Sequence, residues 1–137
     1  MSLYAAAYVS VPIVAFSDRD LSDLLLRARR WNAEHGVTGK LIVAESDDHC
    51  IERFVQWLEG EPDDVRAALR RIRDDPRHAR IELQFFAPVR GRRFGTWDMA
   101  FETVPLVRFE DHRAEVVPEA APVALDEVLG ADSANGA

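Results

Sequence analysis

The pattern of apolar and polar positions divides most of the chain into strands and helices. Runs of β-branched and aromatic residues that end at glycine, proline or polar clusters predict strands, and apolar residues three or four positions apart predict amphipathic helices. The predicted strands are 3–10, 39–45, 53–59, 79–89 and 96–104, and the predicted helices are 18–35 and 62–75. The order β-α-β-β-α-β-β predicts an α+β, ferredoxin-like domain with two helices on one face of the sheet.

The ends of both predicted helices carry capping signals. Ser17 suits the N-cap of the first helix, with Asp18 and Asp20 in its first turn, and Gly36 ends it. Pro62 suits the first position of the second helix. We therefore expect each helix to begin at these signals.

The chain changes character after the fifth predicted strand, because its apolar pattern weakens there. We expect residues 1–104 to form the domain and 105–137 to form a C-terminal extension, with a short helix over 123–129 and a disordered end. In the third strand, Trp57 faces the side of the sheet away from the helices. The C-terminal extension or a partner subunit would cover this side chain, and ordinary core burial would also explain it.

Four polar residues interrupt positions that the pattern assigns to the core. Tyr8 and Ser10 share one face of the first strand, Asn32 lies on the apolar stripe of the first helix, and Gln56 is at the centre of the third strand. Each has an ordinary interpretation as a helix cap, a hydroxyl at the rim or a side chain facing water. A buried carboxamide without partners, however, costs roughly 1–3 kcal/mol. Together, these neutral donors and acceptors suit the polar edge of a flat heterocycle better than acid–base catalysis.

Composition and charge narrow the classes of function. The 137 residues carry a net charge of −7 and the pI is about 5.0, which argues against a nucleic-acid binder; the basic turn 90–93 is too small to reverse this. Cys50 is the single cysteine, so there is no intrachain disulfide framework, and its neighbour His49 has no second metal-type pair nearby. Without an apolar run of membrane-spanning length or a basic signal region, we expect a cytoplasmic protein.

Several segments resemble a known family, the BLUF domains, which are blue-light sensors that use FAD. The resemblance covers roughly residues 2–102 and consists, in family order, of LYAAAYVS, RRWNAEHGVTGKL, FVQWLEG, DPRH and RRFGTWDM. FVQWLEG together with RRFGTWDM is a specific combination. The resemblance implies the same ferredoxin-like fold, a sensor rather than an enzyme, and noncovalently bound FAD, with FMN or riboflavin as alternatives.

The resemblance also implies roles for individual residues. Tyr8 and Gln56 match the photoactive tyrosine–glutamine pair, and Trp97 and Met99 match residues of the fifth strand that relay the signal. The remaining matches are expected cofactor contacts: Ser10 near the photoactive pair, Asn32 at the carbonyl edge of the flavin, Leu24 and Ile72 on its apolar faces, and Arg71, Asp75, Arg77 and His78 toward the ring, the ribityl chain and the phosphate.

The mechanism that the resemblance implies is a rearrangement of hydrogen bonds. Tyr8 donates an electron and then a proton to the excited flavin, and Gln56 rotates or tautomerises. One or two hydrogen bonds change, so a few kcal/mol are available to bias a downstream element. We expect the signal to pass to a separate protein or through a homo-oligomer.

Two departures from the family bear on these roles. The chain has several more residues between Gly39 and Gln56 than the family usually shows, which predicts a longer hairpin, and a shift by one register would turn Gln56 to the wrong face. Trp31 stands where members often carry a smaller polar residue. The sequence also leaves open whether Trp97 or Met99 lies against the glutamine, because both fall on one face of the predicted strand.

Two other functions remain open from the sequence. The first is a flavin-free relative that uses the same fold as an interaction or regulatory module. The second is a ferredoxin-like enzyme acting on a small molecule in the same slot, which the lack of acid–base residues disfavours.

Overall fold

A computed structural model describes residues 2–136, except for the side chains of 78 and 131–136. Within these residues the elements follow one another in the order predicted for a ferredoxin-like domain, and further helices follow the last strand. In chain order they are β1 (Tyr4–Pro12), α1 (Asp18–His35), β2 (Thr38–Glu45), β3 (Ile51–Gly60), α2 (Pro62–Asp74), β4 (His78–Pro88), β5 (Ala100–Pro105), a 3-10 turn (Leu106–Arg108), α3 (Phe109–Val116) and α4 (Leu125–Gly136).

The strands form one mixed sheet in the order β4-β1-β3-β2-β5. Neighbouring strands are antiparallel except β5, which runs parallel to β2. This is the predicted α+β, ferredoxin-like arrangement of five strands, with β5 at one edge of the sheet. The prediction of the fold class is confirmed.

The sheet is covered on both faces. Leu25 of α1 and Leu69 of α2 pack in one buried cluster with residues of β1, β2 and β3. On the opposite face, Phe109 and Val116 of α3 pack in a second cluster with Trp57. Alternate strand residues enter one cluster or the other, which explains why these strands are apolar at nearly every position. The C-terminal extension therefore covers Trp57.

The longer β2–β3 hairpin keeps the register that the predicted photoactive role of Gln56 requires. The ladder runs without interruption from Thr38 opposite Glu59 to Ala44 opposite Arg53. Its irregularity lies beyond Ala44, toward the tip of the hairpin, and a bulge there absorbs extra residues without turning the rest of the strand. Gln56 consequently faces α1 and α2.

The fifth strand is shorter than the pattern predicts. Residues 90–99 form an irregular loop, and β5 begins at Ala100, opposite Lys40 of β2. A tight turn precedes it, in which the Trp97 N–H donates to the Phe94 carbonyl oxygen at 2.7 Å. The prediction that Trp97 and Met99 share one face of a strand is therefore wrong, since neither lies in a strand.

The extension holds more helix than the short segment predicted over 123–129. The pattern gives no sign of helix α3, because its buried residues Phe109 and Val116 stand seven positions apart without a stripe between them. Helix α4 runs on to Gly136, and Ala137, the last residue of the end predicted to be disordered, lies outside the described residues.

We expect Gly39→Ala to destabilise the β2–β3 pairing. A Cβ at Gly39 would lie 1.9 Å from the carbonyl oxygen of Trp57, so the strands would have to separate. Overpacking of this kind costs about 1–3 kcal/mol, or more where backbone must move. Urea unfolding measures the loss, and Gly91→Ala, where a Cβ meets nothing within 4 Å, is the control. Equal stability of the two variants would contradict this placement of Gly39.

Candidate functional site

A cavity lies between α1, α2 and the face of the sheet that they cover. Its volume is about 560 Å³, within the range of about 300–1,000 Å³ that is typical of cofactor and small-molecule sites. Its walls combine apolar side chains with a few polar ones. The lining includes these predicted cofactor contacts: Tyr8, Leu24, Asn32, Gln56, Arg71, Ile72, Asp75 and Arg77.

Tyr8 and Gln56 form a buried hydrogen-bonded pair at the floor of this cavity. They lie directly opposite each other on β1 and β3, and the Tyr8 hydroxyl donates to Gln56 Oε1. Gln56 Nε2 in turn donates to Met99 Sδ at 3.2 Å. Both ends of the carboxamide therefore have partners, which accounts for a glutamine that is only 6% exposed in an apolar strand.

The phenol of Tyr8 is held in its protonated form. Burial raises the pKa of Tyr8 far above its usual value, and the negative charge of Asp75 raises that pKa further. A phenol in this state remains a hydrogen-bond donor at every physiological pH. It loses its proton readily only if it first loses an electron.

The raised pKa predicts a loss of stability at alkaline pH. The unfolded chain releases this proton at about pH 10 whereas the folded chain retains it, so the free energy of unfolding falls as the pH rises above about 10. The slope contributed by one group approaches about 1.4 kcal/mol per pH unit. We expect urea unfolding between about pH 8 and about pH 11 to show a steeper loss for the wild type than for Tyr8→Phe. Parallel curves for the two proteins would contradict the assignment.

Asn32 connects α1 to the loop that precedes β5. The side chain is 3% exposed, and its Nδ2 donates to the Asp98 carbonyl oxygen at 2.7 Å. One turn earlier, Arg29 Nε donates to the Met99 carbonyl oxygen at 3.1 Å. Two α1 side chains therefore hold the backbone of the loop beside the glutamine.

Charged side chains gather at the end of the cavity near the C-terminus of α2. The Arg77 guanidinium donates two parallel hydrogen bonds to the Asp75 carboxylate, from Nε to Oδ1 at 3.0 Å and from Nη2 to Oδ2 at 2.8 Å. Hydrogen bonding to Asp75 raises the pKa of Arg77. Arg27 and Arg71 also line the cavity, and guanidinium groups in such number suit a phosphate ester.

Trp31 forms one wall of the cavity and is fixed by its neighbours. His35, one turn later in α1, stacks on the indole with ring centroids 3.9 Å apart and an angle of 15°. The Arg71 guanidinium of α2 lies 4.9 Å from the centre of the same ring. The unusual tryptophan thus links the two helices that bound the cavity. The spacing of Trp31 and His35, four residues apart on a helix, indicates their contact from the sequence.

The remaining predicted site residues divide as follows. Met99 is 2% exposed and contacts Gln56, whereas Trp97 is 61% exposed. Ser10 is buried in β1 but is not among the residues that line the cavity. The side chain of His78 lies outside those that the structure describes.

Sequence reasoning missed several apolar residues of the lining. Phe16, Leu41 and Phe54 contribute to the walls. The position of Leu41, which pairs with Gln56 across β2 and β3, follows only once the register is known. Phe54 shares a face with Gln56 by simple alternation, so its place is readable from the strand pattern.

The described part of the chain contains neither a cluster of metal ligands nor a membrane-spanning helix. Among those residues, no three side chains of His, Cys, Asp or Glu come together in a way that would hold a metal ion. Along residues 2–136, no helix is both long enough and apolar enough to span a bilayer.

Comparison with known proteins decides which family has this arrangement. The family model described as "BLUF: Sensors of blue-light using FAD" matches residues 3–100, well over half of the chain. The chain belongs to the BLUF family. A BLUF domain is a light-sensing module, so we assign no enzymatic activity to it.

Similar sequences occur as parts of much longer proteins. This BLUF domain is 36% identical over 91 residues to the photoactivated adenylate cyclase subunit beta of Euglena gracilis, a match that covers 66% of this chain and 10% of that protein. The subunit beta-like protein FB of the same organism is 31% identical over 107 residues, covering 77% of this chain and 12% of that protein. The chain thus spans about a tenth of the length of these relatives.

Similar solved structures include short and long proteins. The dark-state structure of BlrB, a BLUF protein, superposes with a TM-score of 0.70 at 26% identity and covers 86% of both chains. Klebsiella pneumoniae BlrP1, solved with FMN and cyclic diGMP, superposes with a TM-score of 0.64 at 27% identity, covering 98% of this chain and 35% of that one. Both superpositions extend over most of this chain.

The residues of this chain fit the flavin that the family uses. A flat ring needs apolar walls, which Leu24 and Ile72 supply from α1 and α2, and a polar edge, which Asn32 and Gln56 supply. The guanidinium groups of Arg27, Arg71 and Arg77 in the lining suit the phosphate that FAD and FMN carry.

Proposed function

We propose that this BLUF domain is a blue-light photoreceptor whose switch is the chain of hydrogen bonds from Tyr8 through Gln56 to Met99. We further propose that it holds FAD noncovalently, with FMN or riboflavin as alternative forms. The observation that carries the proposal is the position of the Gln56 carboxamide at the floor of a flavin-sized cavity, with a hydrogen bond at its oxygen and another at its nitrogen. A carboxamide has one accepting and one donating end, so it is able to exchange its partners.

A bound flavin supplies an electron acceptor that blue light activates. Tyr8 is the electron donor within the cavity, and the oxygen of Gln56 already accepts the hydrogen bond along which the phenolic proton leaves. The raised pKa keeps the phenol protonated as long as it has all its electrons. Loss of an electron makes the phenol a much stronger acid. Once the phenol had lost an electron, it would therefore pass its proton along this hydrogen bond to the oxygen of Gln56.

Gln56 is a switch because its two partners have different capacities. The Met99 thioether accepts a hydrogen bond weakly and cannot donate one. The dark arrangement, with Nε2 toward Met99, satisfies both ends of the carboxamide. After rotation, the oxygen would face a sulfur that has no proton to give, so the contact with Met99 weakens and the methionine is released.

The loop carrying Met99 supports a route to the surface. Arg29 and Asn32 of α1 hold the carbonyl oxygens of Met99 and Asp98, so a displaced Met99 pulls on α1. We propose that the signal then passes to a separate cytoplasmic partner or through a homo-oligomer. The relatives named as photoactivated adenylate cyclases support a sensor that acts on another unit.

The visible spectrum of the purified protein tests this proposal. We expect a yellow protein whose absorption shifts reversibly to the red by a small amount after blue light and returns in the dark. Chromatography of the extracted chromophore then distinguishes FAD, FMN and riboflavin. A colourless protein that none of the three flavins reconstitutes would overturn the proposal and favour the flavin-free interaction module.

A further inference from the structure

Glu59 is a fully buried carboxylate on the face of the sheet away from the cavity. Its exposed fraction is 0%, and its two oxygens accept four hydrogen bonds. The donors are Thr38 Oγ1 at 2.8 Å, Trp57 Nε1 at 2.9 Å, and the backbone N–H groups of Arg93 and Phe94 at 2.8 Å each. A carboxylate is an acceptor only, so this set of donors matches it in full.

Two of these donors belong to the backbone of the loop over residues 90–99, near its N-terminal end. The loop forms no ladder, and a side chain that packs by shape alone would leave the Arg93 and Phe94 N–H groups without acceptors. Burying a carboxylate is costly unless every lone pair is used. Its presence here is explained by the backbone it holds rather than by packing.

Arginine side chains of the same loop strengthen the attachment. Arg92 Nη1 donates to Thr38 Oγ1 at 2.9 Å and to the Glu59 carbonyl oxygen at 3.2 Å. Arg93 lies over the Trp57 ring at 4.5 Å and donates from Nη1 to the Val116 carbonyl oxygen at 2.7 Å. The start of the loop is therefore tied to β2, β3 and the end of α3.

The far end of the loop is the segment that reaches the photoactive pair. Six residues after Arg93 comes Met99, whose sulfur accepts from Gln56 Nε2. Between them, the Gly39 N–H donates to the Trp97 carbonyl oxygen at 3.1 Å. Residues 94–98 thus form a short bridge between the backbone that Glu59 holds and the sulfur that Gln56 contacts.

We propose that Glu59 is a positioning residue for the photoactive glutamine: it fixes the start of the loop so that Met99 stays within hydrogen-bonding distance of Gln56, and through Arg93 it joins this loop to α3. The light-dependent part of this inference rests on the proposed photoreceptor function. The placement of Met99 does not, and it is measurable without flavin or light.

Methyl NMR of the methionines is the first test. The chain contains two methionines, so labelling the methionine methyl groups with ¹³C gives one signal for Met99 and one for Met1, which acts as an internal control. We expect Glu59→Gln to shift the Met99 signal and leave the Met1 signal in place. The matched control is Glu52→Gln, which changes an exposed glutamate on the same strand and should move neither signal. An unmoved Met99 signal in Glu59→Gln would overturn the inference.

A double-mutant cycle on the rate of dark recovery is the second test. We expect Glu59→Gln to change this rate about 2- to 10-fold, the range that one hydrogen bond provides. In a Met99→Leu background the same substitution should change it little, because the sulfur it positions is gone. An equal factor in both backgrounds would indicate general loosening and would contradict the inference.

The two arms separate this inference from the function on which it rests. If the wild-type protein shows no light response, the photoreceptor proposal fails, and the NMR arm still decides whether Glu59 places Met99. If Glu59→Gln does not fold, Thr38→Val takes its place in both measurements. That variant removes one donor from the carboxylate and keeps its charge. An unmoved Met99 signal there would overturn the inference equally.

Discussion

Tyr8→Phe is expected to give a yellow protein whose spectrum no longer responds to blue light. Phenylalanine keeps the ring that packs in β1 but has no hydroxyl to donate to Gln56 and no phenolic proton to lose. The other residues that line the cavity are unchanged, so binding of the chromophore should persist. The response should fall below detection, since this substitution removes the proposed electron donor itself.

Absorption difference spectra before and after illumination measure this result. The control is Tyr4→Phe, which changes the other of the two tyrosines in the chain. Tyr4 packs against Phe86 with ring centroids 5.2 Å apart, and the two hydrogen bonds of the proposed switch join Tyr8, Gln56 and Met99 instead. A normal photocycle in Tyr8→Phe, with flavin bound, would show that another group supplies the electron.

Gln56→Leu is expected to abolish the same spectral shift, because it removes the carboxamide rather than the phenol. Leucine fills much of the volume but offers neither an acceptor to Tyr8 nor a donor to Met99, so there are no hydrogen bonds left to rearrange. The buried phenol also loses the carboxamide oxygen that accepts its hydrogen bond, and the loss of one hydrogen bond costs about 0.5–1.5 kcal/mol. Urea unfolding should record that loss alongside the missing light response.

The matched control is Gln84→Leu, at the second glutamine of the chain. Gln84 is a half-buried residue of β4, and its Oε1 accepts from Arg113 Nη1 at 3.3 Å, away from the cavity. Its spectral shift should match that of the wild type. If the absorption of Gln56→Leu still shifted to the red after illumination, the carboxamide would not be required for the light response.

The sequence predicts the strands and their faces well because alternation is a local property. Tyr8, Asn32 and Gln56 are recognisable from the sequence alone as polar residues at core positions. Whether they meet depends on the register of the β2–β3 hairpin, and the hairpin is longer than in the family. The pairing is regular up to Ala44 and irregular only beyond it. Because both faces of these strands are apolar, their pattern does not specify this register.

The loop before β5 shows where local pattern fails. A stretch containing Trp97 and Met99 has the composition of a strand, but a strand forms only where a partner strand pairs with it. The ladder with β2 begins at Ala100. The role of Glu59 is equally unreadable from the sequence, because two of its donors stand 34 and 35 positions along the chain, and only the fold brings them together.

Gln56 and Trp57 are consecutive residues of β3, yet one side chain faces the cavity and the other faces α3. A single peptide unit therefore separates the cavity side of the sheet from the side that Arg93 joins to α3. Thermodynamic linkage makes any communication across that peptide reciprocal. A protein that docks on α3 and prefers the illuminated form must, to the same extent, raise the proportion of domains found in that form, so the colour of the chromophore would report its binding.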